Sequence, residues 1–116
     1  MEKEFIIYHN PRCRKSRETL QLLEDAGVTP TIIKYLETPP DAATLKVLCQ
    51  KLGIRPAELV RKGEALYKSE YKGKTFTDAE WLDILAQHPQ LIERPIVVRE
   101  ARAAIGRPPE NVSTLM

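Results

Sequence analysis

The sequence predicts an α/β fold, a mixed sheet of about four strands with a helical insertion between a β-α-β half and a β-β-α half. Three observations carry that prediction. A β-branched and aromatic run, Phe5-Ile6-Ile7-Tyr8, is followed by an amphipathic stretch and a second such run, Thr31-Ile32-Ile33-Lys34-Tyr35. Residues from about 38 to 91 hold helix signals and no strand pattern of comparable strength. A third apolar run, Ile96-Val97-Val98, then resumes the sheet.

Taken in order, Phe5–Tyr8 reads as a buried strand, and His9 through Arg12 as a turn in which Pro11 holds Asn10 extended. A helix follows from about Arg14 to Ala26, with Leu20, Leu23 and Ala26 on its apolar face and Gly27 as the residue past its end. The strand at 31–35 completes a unit that places its loop and helix start at the carboxyl edge of the sheet, a favoured ligand position. Thr38-Pro39-Pro40-Asp41 reads as a capping box with Thr38 as N-cap, opening a helix that carries Leu45, Leu48 and Leu52 and stops near Gly53. Pro56–Arg61 starts a short helical piece. Thr77-Asp78-Ala79-Glu80 is a second capping box, leading a helix with Trp81, Leu82, Ile84 and Leu85 that Pro89 ends. After Ile96–Val98, a turn at Arg99-Glu100 and a weak strand over 101–105 form a hairpin, and Gly106-Arg107-Pro108-Pro109 breaks the chain before a short terminal helix. This order is that of a single thioredoxin-like domain, residues 1–116, with a helical insertion at about 38–91.

A length of 116 residues supports a core without disulfide staples. The net charge of +2 gives no push toward nucleic acid or membranes. No apolar run approaches the roughly 18 residues of a spanning helix. The expectation is a soluble cytoplasmic monomer. The two cysteines and two histidines are too widely spaced for a zinc pattern, so no metal is expected. Cys49, among Leu45, Val47, Leu48 and Leu52, reads as a small buried residue.

Cys13 has different neighbours. It opens the first helix, and Arg12, Arg14, Lys15 and Arg17 flank it. A helix N-terminus and nearby cations both favour a thiolate. An ordinary thiol near pKa 8.5 is about 3% ionised at pH 7; one lowered by about two units is about three-quarters ionised. Because nucleophilicity falls as the thiol acidifies, attack gains only a few-fold, and the larger benefit comes when the sulfur must leave. Cys13-x-x-Ser16 is half of a Cys-x-x-Cys redox pattern, so an outside thiol must release any adduct.

Arginine is the second constellation. Arg94-Pro95 precedes the third strand, where a proline in this fold is often cis; Arg107 lies in the rigid break after the last strand; Arg61 ends a short apolar stretch. A thiolate attacking an oxyanion of charge about −2 at about 4 Å meets a repulsion of roughly 8 kcal/mol at an effective dielectric near 20. Converging guanidinium groups offset that repulsion and bind oxygens bidentately. A thiolate beneath several arginines therefore points to a tetrahedral oxyanion.

Several stretches together carry a resemblance. They are Tyr8-His9-Asn10-Pro11-Arg12-Cys13-x-x-Ser16-Arg17, Lys34-Tyr35-Leu36-Glu37-Thr38-Pro39, Val60-Arg61-Lys62, His88-Pro89, Glu93-Arg94-Pro95-Ile96-Val97-Val98 and Gly106-Arg107-Pro108-Pro109-Glu110. Over nearly its whole length the chain resembles the glutaredoxin-coupled arsenate reductases, particularly the short chromosomal type. The resemblance implies a thioredoxin-like fold and Cys13 as the nucleophile toward arsenate. Arg61, Arg94 and Arg107 stand at the oxyanion-binding positions. His9 stands where a histidine helps keep the cysteine ionised, Ser16 would hydrogen-bond the sulfur or the oxyanion, and Asn10 and Arg17 count as supporting residues. It further implies glutathione as co-substrate, glutaredoxin as the transient partner, arsenite as product and no bound cofactor. Arg14-Lys15 departs from the Gly-Thr pair of the plasmid-borne members, and their C-terminal extension is lacking.

Two other readings share the fold. A glutaredoxin-like thiol exchanger would use the Cys-x-x-Ser loop but leave the arginines idle. A redox regulator of a transcription complex would need a Cys-x-x-Cys switch, which Ser16 breaks. A phosphatase-type loop needs Cys-x5-Arg, and the required position is Thr19.

Overall fold

The structure, a computed structural model, describes residues 4–116. The chain divides into two compact units, one taking residues up to Thr38 together with Arg94–Met116, the other Pro39–Glu93.

The first unit contains the sheet. Strand β1 (Phe5–His9), helix α1 (Arg14–Asp25) and strand β2 (Thr31–Lys34) form the β-α-β half. Within the second unit come helices α2 (Ala42–Leu52) and α3 (Asp78–Gln87); strands β3 (Ile96–Arg99) and β4 (Arg102–Ile105) return to the sheet. The strand order is β2-β1-β3-β4. β1 runs parallel to β2, with Ile7 opposite Ile32, and antiparallel to β3, with Ile7 opposite Val97. The sheet is thus the mixed, four-stranded, thioredoxin-like one that the sequence predicts.

Alternation along β1 puts Phe5 and Ile7 on one face, where they join Val97, Leu23 of α1, and Val112 and Leu115 of the terminal 3-10 helix Pro109–Leu115 in one buried cluster. Leu23 is fully buried there, so truncation to alanine would cost about 2–5 kcal/mol. α1 ends as its sequence predicts. Gly27 takes φ +82, Val28 N–H donates to Leu23 O at 2.9 Å and Gly27 N–H to Glu24 O at 3.0 Å. The terminal helix is tied back from β3 and β4. Arg99 Nη1 donates to Leu115 O at 2.6 Å and Arg102 Nη1 to Thr114 O at 3.1 Å, which satisfies carbonyls a helix end leaves open.

In the second unit, α2 packs against α3, burying Leu45, Leu48 and Cys49 on one and Trp81, Leu82 and Leu85 on the other. The Thr77 capping box is present: Thr77 Oγ1 accepts from Glu80 N–H at 3.2 Å, and Glu80 Oε1 accepts from Thr77 N–H at 2.8 Å. The first expected box is not. The N-cap of α2 is Asp41, whose Oδ1 accepts from Thr44 N–H at 2.8 Å. The reason lies in the two prolines. With Thr38 as cap, Pro39 would occupy the first helical position, and Pro40 excludes the residue before it from helical geometry. The helix can start only after Pro40, and Asp41 is the first side chain there able to cap it. The unit also holds a short π turn, Tyr67–Tyr71, and an isolated antiparallel bridge between Val60 and Ile92, neither of which has a clear sequence signal. Trp81 stands edge-on to Phe76 at 4.9 Å between ring centroids and beside Tyr67 at 6.5 Å.

Candidate active site

The site grows out of the link between β1 and α1. Asn10-Pro11-Arg12-Cys13 is a β-turn closed by Cys13 N–H donating to Asn10 O at 2.9 Å, with proline at its favoured second position. Asn10 works at both ends of the turn. Its Oδ1 accepts from Arg12 N–H at 3.0 Å, and its own N–H donates to Ser16 Oγ at 3.0 Å. Arg17 reaches back from α1, with Nη1 donating to Pro11 O at 3.1 Å.

Cys13 is the N-cap of α1, extended at φ −90 and ψ 124. Only 9% of it is exposed. Burial alone would push its thiol upward. The N–H groups of Ser16 and Lys15, with Arg94 and Arg107, overcome that, and the net displacement is downward, toward the thiolate. Its side chain makes no cap hydrogen bond as a thiol, and the N–H groups of Ser16 and Lys15 at the helix start favour the ionised sulfur. Arg107 Nη2 lies 3.6 Å from the sulfur, and its Nε donates to Arg94 O at 2.8 Å. Arg94 is itself buried. The bonds Arg94–Pro95 and Arg107–Pro108 are both cis.

His9 ends β1, buried, with Nδ1 at 2.6 Å from the hydroxyl of the fully buried Ser16. Burial lowers its pKa, and the positive charges of Lys34 and Arg17 lower it further. The imidazole is therefore neutral at pH 7. A neutral ring accepting the Ser16 proton at Nδ1 carries its own on Nε2. His9 thus reaches the start of α1 through Ser16, while the positive charges acting on the sulfur are those of Arg94 and Arg107.

The predicted residues Cys13, Arg94, Arg107, His9, Asn10, Ser16 and Arg17 all belong to the first unit. Arg61 belongs to the second, where Nη1 pairs with Glu64 Oε2 at 3.2 Å and the backbone N–H donates to Leu91 O at 2.6 Å. The cations next to Cys13 in sequence are turned to other work. Arg14 and Lys15 share Glu18, at 2.9 and 3.7 Å, on the exposed side of α1. Cys49 is buried, and burial with the nearby carboxylates of Asp78 and Glu58 pushes its thiol up. Among the described residues no group of His, Cys, Asp and Glu is arranged to hold a metal ion, and no helix is long and apolar enough to cross a membrane.

Residues 8–115 match the sequence pattern of the ArsC family. The chain belongs to the ArsC family. Similar proteins match it over nearly its whole length. It is 50% identical over 114 residues to the uncharacterized Escherichia coli protein YfgD, covering 97% of this chain and 96% of that one. It is 44% identical over 115 residues to a protein named arsenate reductase in Neisseria meningitidis, covering 97% and 98%. A solved structure of an arsenate reductase from Vibrio cholerae is similar over 100% of both chains, with 47% identity and a TM-score of 0.95.

In this ArsC-family chain, the placement of Arg107 depends on residues that motif reading passes over. Gly106 precedes it, and its N–H donates to Pro95 O at 2.9 Å. A Cβ there would stand 2.4 Å from Thr19 Oγ1, 2.9 Å from Pro95 Cγ and 3.0 Å from Thr19 Cγ2. Glycine thus lets the Arg107 backbone close onto α1. The sequence signal was a lone glycine ahead of Arg-Pro-Pro. Thr19, read only as the missing arginine of a phosphatase loop, is the fully buried surface it packs on.

Proposed function

We propose that the chain is an arsenate reductase in which Cys13 is the nucleophile and Arg94 and Arg107 bind the oxyanion. The observation that carries this is the contact between Arg107 and a thiol pushed toward ionisation, with Arg107 Nη2 3.6 Å from Cys13 Sγ. Relatives named arsenate reductase at 44% identity over nearly the full chain support the choice of oxyanion.

The Cys13 thiolate attacks arsenic and an oxygen leaves as hydroxide, giving a sulfur–arsenic(V) adduct. Guanidinium charge and the N–H groups of Lys15 and Ser16 offset the like-charge approach. Glutathione thiolate then attacks the Cys13 sulfur. The sulfur–arsenic pair of electrons stays with arsenic, which leaves as arsenite(III), and a Cys13–glutathione disulfide remains. Glutaredoxin accepts the glutathione by thiol exchange, and Cys13 departs as a thiolate, the step its acidity helps most. Arg61 is assigned a place on the oxyanion in this scheme by its position in the motif. Ser16 and His9 hold the start of α1, and Asn10 and Arg17 hold the loop.

The test is a coupled assay with glutathione, glutaredoxin and glutathione reductase, following arsenate-dependent NADPH oxidation. Wild type is expected to turn over, and Cys13→Ser to fall to background. An active Cys13→Ser protein, or a folded wild type inert toward arsenate, contradicts the assignment.

A further inference from the structure

The cations beside Cys13 are unaccounted for by its ionisation, since the positive charges acting on the sulfur are Arg94 and Arg107. Residues 12–18 hold Arg12, Arg14, Lys15 and Arg17 against Glu18 alone, four cations to one carboxylate and a net +3, in a chain whose total is +2. Arg12 is exposed and has no carboxylate partner among the described residues. The Arg14 side chain is 83% exposed and that of Lys15 44%. Both lean on Glu18 through surface pairs, the kind of contact that contributes little and exchanges readily for another carboxylate. Arg12, Arg14 and Lys15 therefore form a concentrated, solvent-facing positive collar on the residues that flank a nearly buried sulfur in the chain, and none of the three is among the charges that lower that sulfur's pKa.

We infer that Arg12, Arg14 and Lys15 are the docking surface for the second reactant, an anionic γ-glutamyl tripeptide thiol of the glutathione type. This rests on the reading of Cys13 given above. Such a thiol has carboxylates at both ends, and its thiolate adds a further negative charge. It must approach a sulfur already joined to an anionic group. Exposed guanidinium groups at the rim take its carboxylates bidentately and draw it in from solution. Arg94 and Arg107 remain with the oxyanion. The two sets of cations thus divide the work, the arginines whose charges act on the sulfur, Arg94 and Arg107, for the first reactant and the cations flanking Cys13 in the chain for the second.

The test omits arsenate. Cys13 is labelled with one equivalent of Ellman's reagent, the buried Cys49 reacting more slowly, and the site is confirmed by mass. Thiol attack then breaks the mixed disulfide, and thionitrobenzoate leaves with its electron pair and absorbs visible light. Rates with glutathione and with uncharged 2-mercaptoethanol are compared for wild type and for the Arg12→Gln, Arg14→Gln, Lys15→Gln triple variant. The glutathione rate should fall about three- to tenfold at low salt, the loss should shrink at high salt, and the mercaptoethanol rate should hold. An equal fall for both thiols, or no fall for glutathione, overturns the inference. Should the triple variant melt early, Arg14→Gln alone gives the same comparison at an 83% exposed side chain. Because arsenate is absent, loss of this effect leaves the arsenate reading standing, and an arsenate-inert wild type leaves this comparison readable.

Discussion

Arg107 touches Cys13 across 94 positions of sequence, its Nη2 at 3.6 Å from the sulfur and its Nε fixed on the carbonyl of Arg94 at 2.8 Å. One guanidinium thus reads the nucleophile and the backbone of the other arginine at once. Arg107→Ala removes a positive charge that lowers the Cys13 pKa, so the thiol must titrate higher. Iodoacetamide alkylation of Cys13 against pH should show its midpoint move up. Arsenate turnover should drop by about a hundredfold, the scale of losing one oxyanion donor. An unmoved midpoint would show that the contact has no electrostatic consequence.

Gly106→Ala should act on the same arginine indirectly. The new Cβ meets Thr19 Oγ1 at 2.4 Å, and a short β-branched side chain has little room to swing aside. The expected cost is about 1–3 kcal/mol of stability by urea denaturation, with the Cys13 alkylation midpoint rising as Arg107 withdraws. Adding Thr19→Ala should recover part of both. Recovery of neither would mean that the close approach does not set Arg107.

How legible was this in the chain? The strands and the end of α1 announce themselves, because Phe5–Tyr8, Ile96–Val98 and Gly27 obey short-range rules of burial and backbone freedom. Cys13 was legible for the same reason, standing between an apolar strand and a helix. What acts on its sulfur was not. Four cations adjacent in sequence invited the credit, yet a helix turns Arg14 and Lys15 outward to Glu18, and the effective charges arrive from Arg94 and Arg107 through the topology of the sheet. Thr38 misled because capping patterns are local and the exclusion imposed by Pro40 acts one residue further back.

The corrected cap has its own check. Asp41→Ala should destabilise α2, whereas Thr38→Ala should leave it as it is, measured by thermal denaturation at pH 7. The Thr44 N–H lowers the Asp41 pKa, so its contribution is present above the unfolded aspartate value and is lost as pH falls through the lower folded one. The two variants should therefore converge in strong acid. Equal effects at pH 7 would restore Thr38 as the cap.

His9 gives a pH dependence of defined sign. Burial, Lys34 and Arg17 make its protonation harder in the folded chain than in the unfolded one. Stability should be full above the ordinary histidine pKa of about 6.5 and decline as pH falls from there toward the lower folded value. Urea denaturation at stepped pH should show this slope in wild type and a flatter one in His9→Gln. Parallel slopes would mean that His9 charges freely.

The most direct measurement is a crystal structure of the protein soaked with arsenate. Tetrahedral density should stand against Cys13 Sγ, its oxygens within hydrogen-bonding reach of Arg94, Arg107 and the N–H groups at the start of α1. Density at another basic patch with the sulfur unoccupied, or Arg94 and Arg107 turned away from a bound anion, would contradict the account.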